Sequence, residues 1–114
     1  LDRAQLRMKA REKELCLSVP EGTVRIPLRE IRYLEVARNY VTICGLEPCT
    51  VKKTLNELEK ELDESFFRTG RSYIVNLHFV RKITRTQVIL KDGRELPLSR
   101  KFYDQINRAM IHYF

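Results

Sequence analysis

The chain reads as a mostly β domain with one firm helix near its middle and a further amphipathic helix at its C-terminus. Three features point there. Apolar residues alternate with polar ones from Leu15 onward, short Pro/Gly/Asn/Asp signals punctuate that alternation, and a single capping box opens a leucine-faced segment.

Residues 1–14 have helical spacing, with Leu1, Ala4, Met8 and Leu15 on one face and Arg3, Arg7, Lys9, Arg11 and Lys13 around it. The segment is short and uncapped, which predicts an exposed linker or arm ahead of a domain over 15–114. Leu15, Leu17 and Val19 then alternate, a turn follows at Pro20, Glu21 and Gly22, and Val24, Ile26 and Leu28 resume the period, so a hairpin is expected. Strands are expected from Ile31 to Val36 and from Tyr40 to Ile43 around the turn Ala37, Arg38, Asn39, with another from Cys49 to Lys53.

Thr54 and Glu57 stand at capping-box positions, and Leu55, Leu58 and Leu62 line one face of the helix they open. Its other face is acidic and is expected to point away from a polyanion. Tyr73 to Val75, Val80 to Ile83, Gln87 to Leu90 and Arg94 to Leu98 read as strands, with Asp92-Gly93 as the tight turn before the last. Ser99 can cap a final helix, where Phe102, Ile106, Met110 and Tyr113 share one side. About nine short strands and one or two helices result.

At 114 residues the chain supports one core without staples. No apolar run approaches the ~20 residues that cross a bilayer. The three cysteines, Cys16, Cys44 and Cys49, lack C-x-x-C spacing, which fits reduced thiols in the cytoplasm rather than a disulfide framework or zinc site. Cys44 and Cys49 could still meet across a hairpin. The formal charge is +7, and its placement is uneven: residues 65–114 hold ten basic and three acidic groups, whereas 51–64 hold three and five. A polyanion would be drawn to the second half.

Catalysis finds little support. His78 and His112 are isolated, Ser72 and Ser99 have no partner histidine at readable spacing, and no Gly-rich phosphate loop occurs. No enzymatic activity, cofactor, metal or small-molecule substrate is expected.

Three turns instead join basic donors to short polar groups. They are Arg38-Asn39-Tyr40; Arg68, Arg71 and Ser72 within F-F-R-T-G-R-S-Y-I-V-N at 66–76; and Ser99-Arg100-Lys101. Arginine and lysine can fork onto guanine, asparagine can pair with adenine, and hydroxyls suit phosphate oxygens.

Taken in order, I-R-Y-L-E-V at 31–36 with Asn39-Tyr40-Val41, T-L-N-E-L-E-K-E-L at 54–62, the 66–76 motif, Val80 to Ile83, and K-D-G-R-E-L-P-L-S-R-K at 91–101 resemble the LytTR DNA-binding domain. That family forms the output module of many bacterial response regulators. The resemblance runs from about Leu15 to Phe102.

It implies an elongated stack of short β-sheets with one main helix, and loops rather than a recognition helix in the DNA grooves. By position, Arg38, Asn39 or Tyr40 would take one major groove, and Lys101 with Arg100 the next. Arg71 would lie over the intervening minor groove, with Arg68, Ser72 and Ser99 on phosphates. Relatives are similar to F-x-R-x-H-R-S in the middle loop, whereas this chain carries Gly70 where histidine is usual. The resemblance further implies a dimer on paired direct repeats and an upstream receiver domain, to which residues 1–14 would be the linker helix. A protein-interaction or dimerisation module without DNA binding, and an RNA-binding β domain, are the alternatives.

Overall fold

A computed structural model describes residues 13–113, the Tyr113 side chain excepted. The helix expected over 1–14 therefore lies almost wholly outside the described residues, and β1 already begins at Glu14. Ten strands and two α-helices follow: β1 Glu14–Val19, β2 Gly22–Pro27, β3 Tyr33–Ala37, β4 Tyr40–Cys44, β5 Cys49–Val51, α1 Leu55–Glu59, β6 Phe66–Arg68, β7 Tyr73–Asn76, β8 Val80–Ile83, β9 Gln87–Leu90, β10 Glu95–Pro97 and α2 Arg100–Tyr113. Short 3₁₀ turns at Leu28–Glu30 and Leu77–Phe79 lead into β3 and β8.

The strands form three antiparallel sheets: the β1–β2 hairpin, a five-stranded sheet in the order β5-β4-β3-β7-β6, and a three-stranded sheet β10-β9-β8. The five-stranded sheet is the middle layer, because both of its faces are apolar. Leu34, Ile43, Ile74 and Phe66 pack on one side with Leu15 and Leu17 of the hairpin and Leu55 and Leu58 of α1. Tyr33, Val75 and Phe67 pack on the other with Val88, Leu90 and Leu96 of the small sheet and Ile106 of α2. Period-two alternation does this work, sending Ile74 to one core and its neighbours Tyr73 and Val75 to the other. The result is a slab of 47 × 38 × 24 Å.

Two elements depart from the sequence reading. Phe66–Arg68 is a strand paired with β7, Phe66 opposite Asn76 and Phe67 opposite Val75. Three residues are too few to display a period, so the alternation in the sequence predicts no strand there. The central helix covers only Leu55–Glu59. Beyond it, Glu61 donates to the Leu58 carbonyl and Leu62 to the Glu59 carbonyl, so the chain tightens into 3₁₀-type turns while Leu62 still reaches the core. The capping box itself forms: Glu57 N–H donates to Thr54 Oγ1 at 3.1 Å and Thr54 N–H to Glu57 Oε1 at 2.9 Å. That second bond holds the Glu57 carboxyl below its ordinary range.

Cys44 and Cys49 face opposite cores, Cys44 beside Tyr33 and Cys49, opposite Ile43, on the hairpin side. A disulfide between them would require one strand to invert, so the thiols act as packing groups. Burial, reinforced by a hydrogen bond with Cys44, pushes the Tyr33 phenol up to about 12.

Asn76 is the buried polar joint of the molecule. Its Nδ2 donates to the Ile31 carbonyl at 2.8 Å and the Leu28 carbonyl at 3.4 Å, and its Oδ1 accepts from His78 N–H at 3.0 Å. One side chain thereby ties the turn before β3 to the turn before β8. Asn76→Ala leaves those groups unpaired in a dry site and is expected to cost about 2–4 kcal/mol. Urea unfolding with an unchanged m-value checks this.

Candidate nucleic-acid interface

The three polar turns belong to different parts of the chain, and two backbone hydrogen bonds bring them to one end of the slab. Val36 N–H donates to the Ser72 carbonyl at 2.8 Å, and Ser99 N–H donates to the Thr69 carbonyl at 2.7 Å. The middle loop 69–72 is thus bonded on one side to β3, which runs straight into Arg38 and Asn39. On the other side it is bonded to the residue that precedes Arg100 and Lys101.

Two clefts flank Arg71. In the first, of about 380 Å³, Arg71 faces Arg38 and Asn39 together with Lys52 and Lys53. In the second, of about 260 Å³, residues 69–73 face Pro97, Leu98 and Ser99. Arg38, Asn39, Tyr40, Arg71, Arg100 and Lys101 are exposed, Tyr40 to 51%. Lys101 Nζ lies 5.2 Å from the ring centre of its neighbour Phe102, whose ring in turn meets Phe67 edge-on.

Arg68 lines the first cleft too, but its guanidinium is engaged within the chain. Its Nε donates to the Gly70 carbonyl at 3.1 Å, and Nη1 donates to Asn56 Oδ1 at 2.7 Å and Glu59 Oε1 at 3.3 Å. The strand period explains this, because Arg68 shares the face of Phe66 and Ile74, which α1 covers. Its guanidinium braces the loop against the helix, whereas Arg71 lies beyond the strand end and projects free of such partners. Ser72 and Ser99 are half-buried at the two seams of the loop.

Two further cations and the opening of the acidic helix also line the first cleft. Lys52 and Lys53 add two cations to the first cleft. Their signal, a K-K pair before the helix cap, was masked by the acids that make 51–64 net negative. The opening residues of the acidic helix, Thr54, Leu55, Asn56 and Glu57, line that same cleft. Among the described residues, no group of His, Cys, Asp and Glu could hold a metal, and no helix is long and apolar enough to cross a membrane.

The turn that presents Arg38 is strained. Ala37 pairs with Tyr40, leaving only Arg38 and Asn39 to reverse the chain, and Arg38 has φ of 60°, the one positive value among described non-glycine residues. Tight hairpins need positive φ at such positions, a role glycine or asparagine fills more cheaply. Arg38 therefore carries its long cationic side chain at a backbone position that costs a non-glycine residue free energy.

Comparison with known proteins adds to this geometry. The family profile described as LytTr DNA-binding domain matches residues 21–111. The chain is similar to the sensory transduction protein LytT of Bacillus subtilis (strain 168), at 30% identity over 108 residues, covering 89% of this chain and 45% of that protein. It therefore spans about half the length of that relative. Among solved structures it is similar to a domain described as the LytTr DNA-binding domain of a methyl-accepting/DNA response regulator from Bacillus cereus. The TM-score is 0.71 at 25% identity, over 90% of this chain and 100% of that one.

Arg38→Gly relieves the backbone strain and is expected to raise unfolding stability by about 0.5–1 kcal/mol while weakening duplex binding at least ~10-fold. Thermal melts and a gel shift on the same samples check both directions.

Proposed function

The chain belongs to the LytTr DNA-binding domain family, and we propose that it is the sequence-specific, double-stranded DNA-binding output domain of a bacterial transcription regulator in a two-component system. It works without enzymatic activity. The single observation that carries the reading is the gathering of Arg38, Asn39, Arg71 and Ser99 around the doubly bonded middle loop.

Such an end presents cations on short, braced turns, the arrangement that lets a β scaffold enter grooves without a recognition helix. Arg38, Asn39 and Tyr40 take one major groove, and Lys101 with Arg100 takes the next, while Arg71 lies between them. Ser72 and Ser99, with Arg68 behind them, set register on phosphates.

In the full-length protein a receiver domain precedes this one, and residues 1–14 form the linker. Two copies bind paired direct repeats in the cytoplasm. An interaction module is the competing reading, and one feature favours it: an open, mainly apolar groove of about 700 Å³ between β6 and α2, with Phe66, Phe67 and Ala109 in its walls and Ile111 82% exposed at its rim. That groove and the cationic clefts share no lining residue, so both surfaces can operate in one protein.

Arg71→Ala and Lys101→Ala are each expected to leave the circular dichroism and melting temperature unchanged while lowering specific affinity by about 1–3 kcal/mol. A gel shift with the selected operator measures this, and wild-type affinity in both variants sinks the assignment. With about six phosphates engaged, log affinity should fall against log salt with a slope of roughly −5. A flat titration with random duplex would favour the interaction module.

A further inference from the structure

Three large apolar side chains stand exposed among the described residues: Tyr40, Leu46 at 70% and Ile111 at 82%. Tyr40 belongs to the cationic end, whereas the other two have no part in it. Each of those two borders a mainly apolar hollow. Ile111 rims the groove of about 700 Å³ walled by Phe66, Phe67 and Ala109. Leu46 lines a cleft of about 350 Å³ together with Val24, Ile26, Ile43 and Pro48. A single exposed leucine is ordinary, but a protruding side chain beside a hollow, met twice, has the form of a docking contact.

The sheet order sets the two hollows on opposite edges of the molecule. Leu46 lies in the turn between β4 and β5, and Phe66 and Phe67 belong to β6, four strand spacings or roughly 19 Å away. Both hollows also lie remote from the cationic turns. β4 starts directly after Arg38 and Asn39 and runs toward Leu46, while β6 starts at the groove and runs toward the middle loop. A duplex held at the cationic end therefore leaves both hollows open.

Their charges are complementary. The Leu46 cleft carries Glu30 and Glu47, and the groove carries Arg108. None of these three is in an ion pair among the described residues. Glu64 in the groove and Arg25 in the cleft offer a second pairing of opposite sign. Copies on direct repeats share one orientation, so a contact between them joins two different surfaces of the chain rather than one surface with itself.

We infer that the occupant of both hollows is a second copy of this chain, docked head to tail on the adjacent repeat. Leu46 of one copy enters the β6–α2 groove of the other, whose Ile111 enters the first copy's Leu46 cleft. The inference rests on the reading of two copies on direct repeats and adds the surfaces that join them. Glu47 and Arg108 meet at the junction and fix its polarity. Two aliphatic side chains make a small contact, so it forms once DNA has aligned the copies and is read as cooperativity rather than as a stable dimer in solution.

The test titrates this 114-residue chain in gel shifts against duplexes carrying one selected half-site or two in direct repeat. Wild type should bind the paired sites with at least ~10-fold cooperativity, which burial of two aliphatic side chains can support. An insertion of about five base pairs between the sites, half a helical turn, should abolish it. Leu46→Asp and Ile111→Asp should each match wild type in melting temperature and on the single half-site, yet bind the paired sites without cooperativity. An equimolar mixture of the two variants should recover about a quarter of the wild-type cooperativity, because one arrangement in four joins two unaltered surfaces.

Absence of cooperativity in wild type, its retention by either variant, or a mixture no better than the variants alone overturns the inference and leaves the DNA-binding reading standing. Failure of wild type to show salt-sensitive binding to the single half-site overturns that reading itself.

Discussion

The middle loop is bonded through its backbone on both flanks, and the arrangement of the cationic end depends on that constraint. The Ser72 carbonyl receives Val36 N–H, and the Thr69 carbonyl receives Ser99 N–H. Remove either bond and one of the three turns is no longer indexed to the others. Backbone bonds suit this task, because they have one geometry and consume no side chain that the surface needs. Arg68 completes the arrangement by fixing the Gly70 carbonyl and anchoring the loop to Asn56 and Glu59 of α1. A loop held at so many points enters an encounter with little conformational freedom left to lose.

The division of labour among the cations follows from the two-faced middle sheet. A strand residue must choose a face, and on β6 the choice that sends Phe66 inward also sends Arg68 toward α1. Three residues later the strand has ended and Arg71 is released from that alternation. Identical side chains thus take a structural and a surface role for purely geometric reasons. The same alternation separates Cys44 from Cys49 and places each in a different core.

Local departures from ideal structure gather at the cationic end. Arg38 holds a positive φ, Thr69 keeps an unpaired buried hydroxyl, and an added Cβ at Gly70 would meet only Ser99 Oγ. Elsewhere the α1 capping box is complete, and the buried Asn76 has its donor and acceptor both satisfied. Proteins commonly concentrate such compromises where a surface must serve a partner rather than the fold. The Glu57 carboxylate in the first cleft has a comparable double character: it caps α1, yet it places one negative charge among Arg38, Lys52, Lys53 and Arg71.

The mostly β class, the capping box at Thr54, the closing amphipathic helix, the family resemblance and three of the cations that line the first cleft, Arg38, Arg68 and Arg71, were legible in the chain, because period, turn chemistry and motif order are local properties. Local reading failed where an element was too short to show a period, as at Phe66–Arg68, or where a charge was averaged with its neighbours, as at Lys52 and Lys53. It also could not separate Arg68 from Arg71, since one residue's partners lie on a helix nine to twelve positions upstream. What the residues determined by themselves was which groups could meet a polyanion. Only tertiary structure decided which of them are free to do so, because freedom depends on the face a strand presents and on bonds between segments as distant as Val36, Ser72 and Ser99.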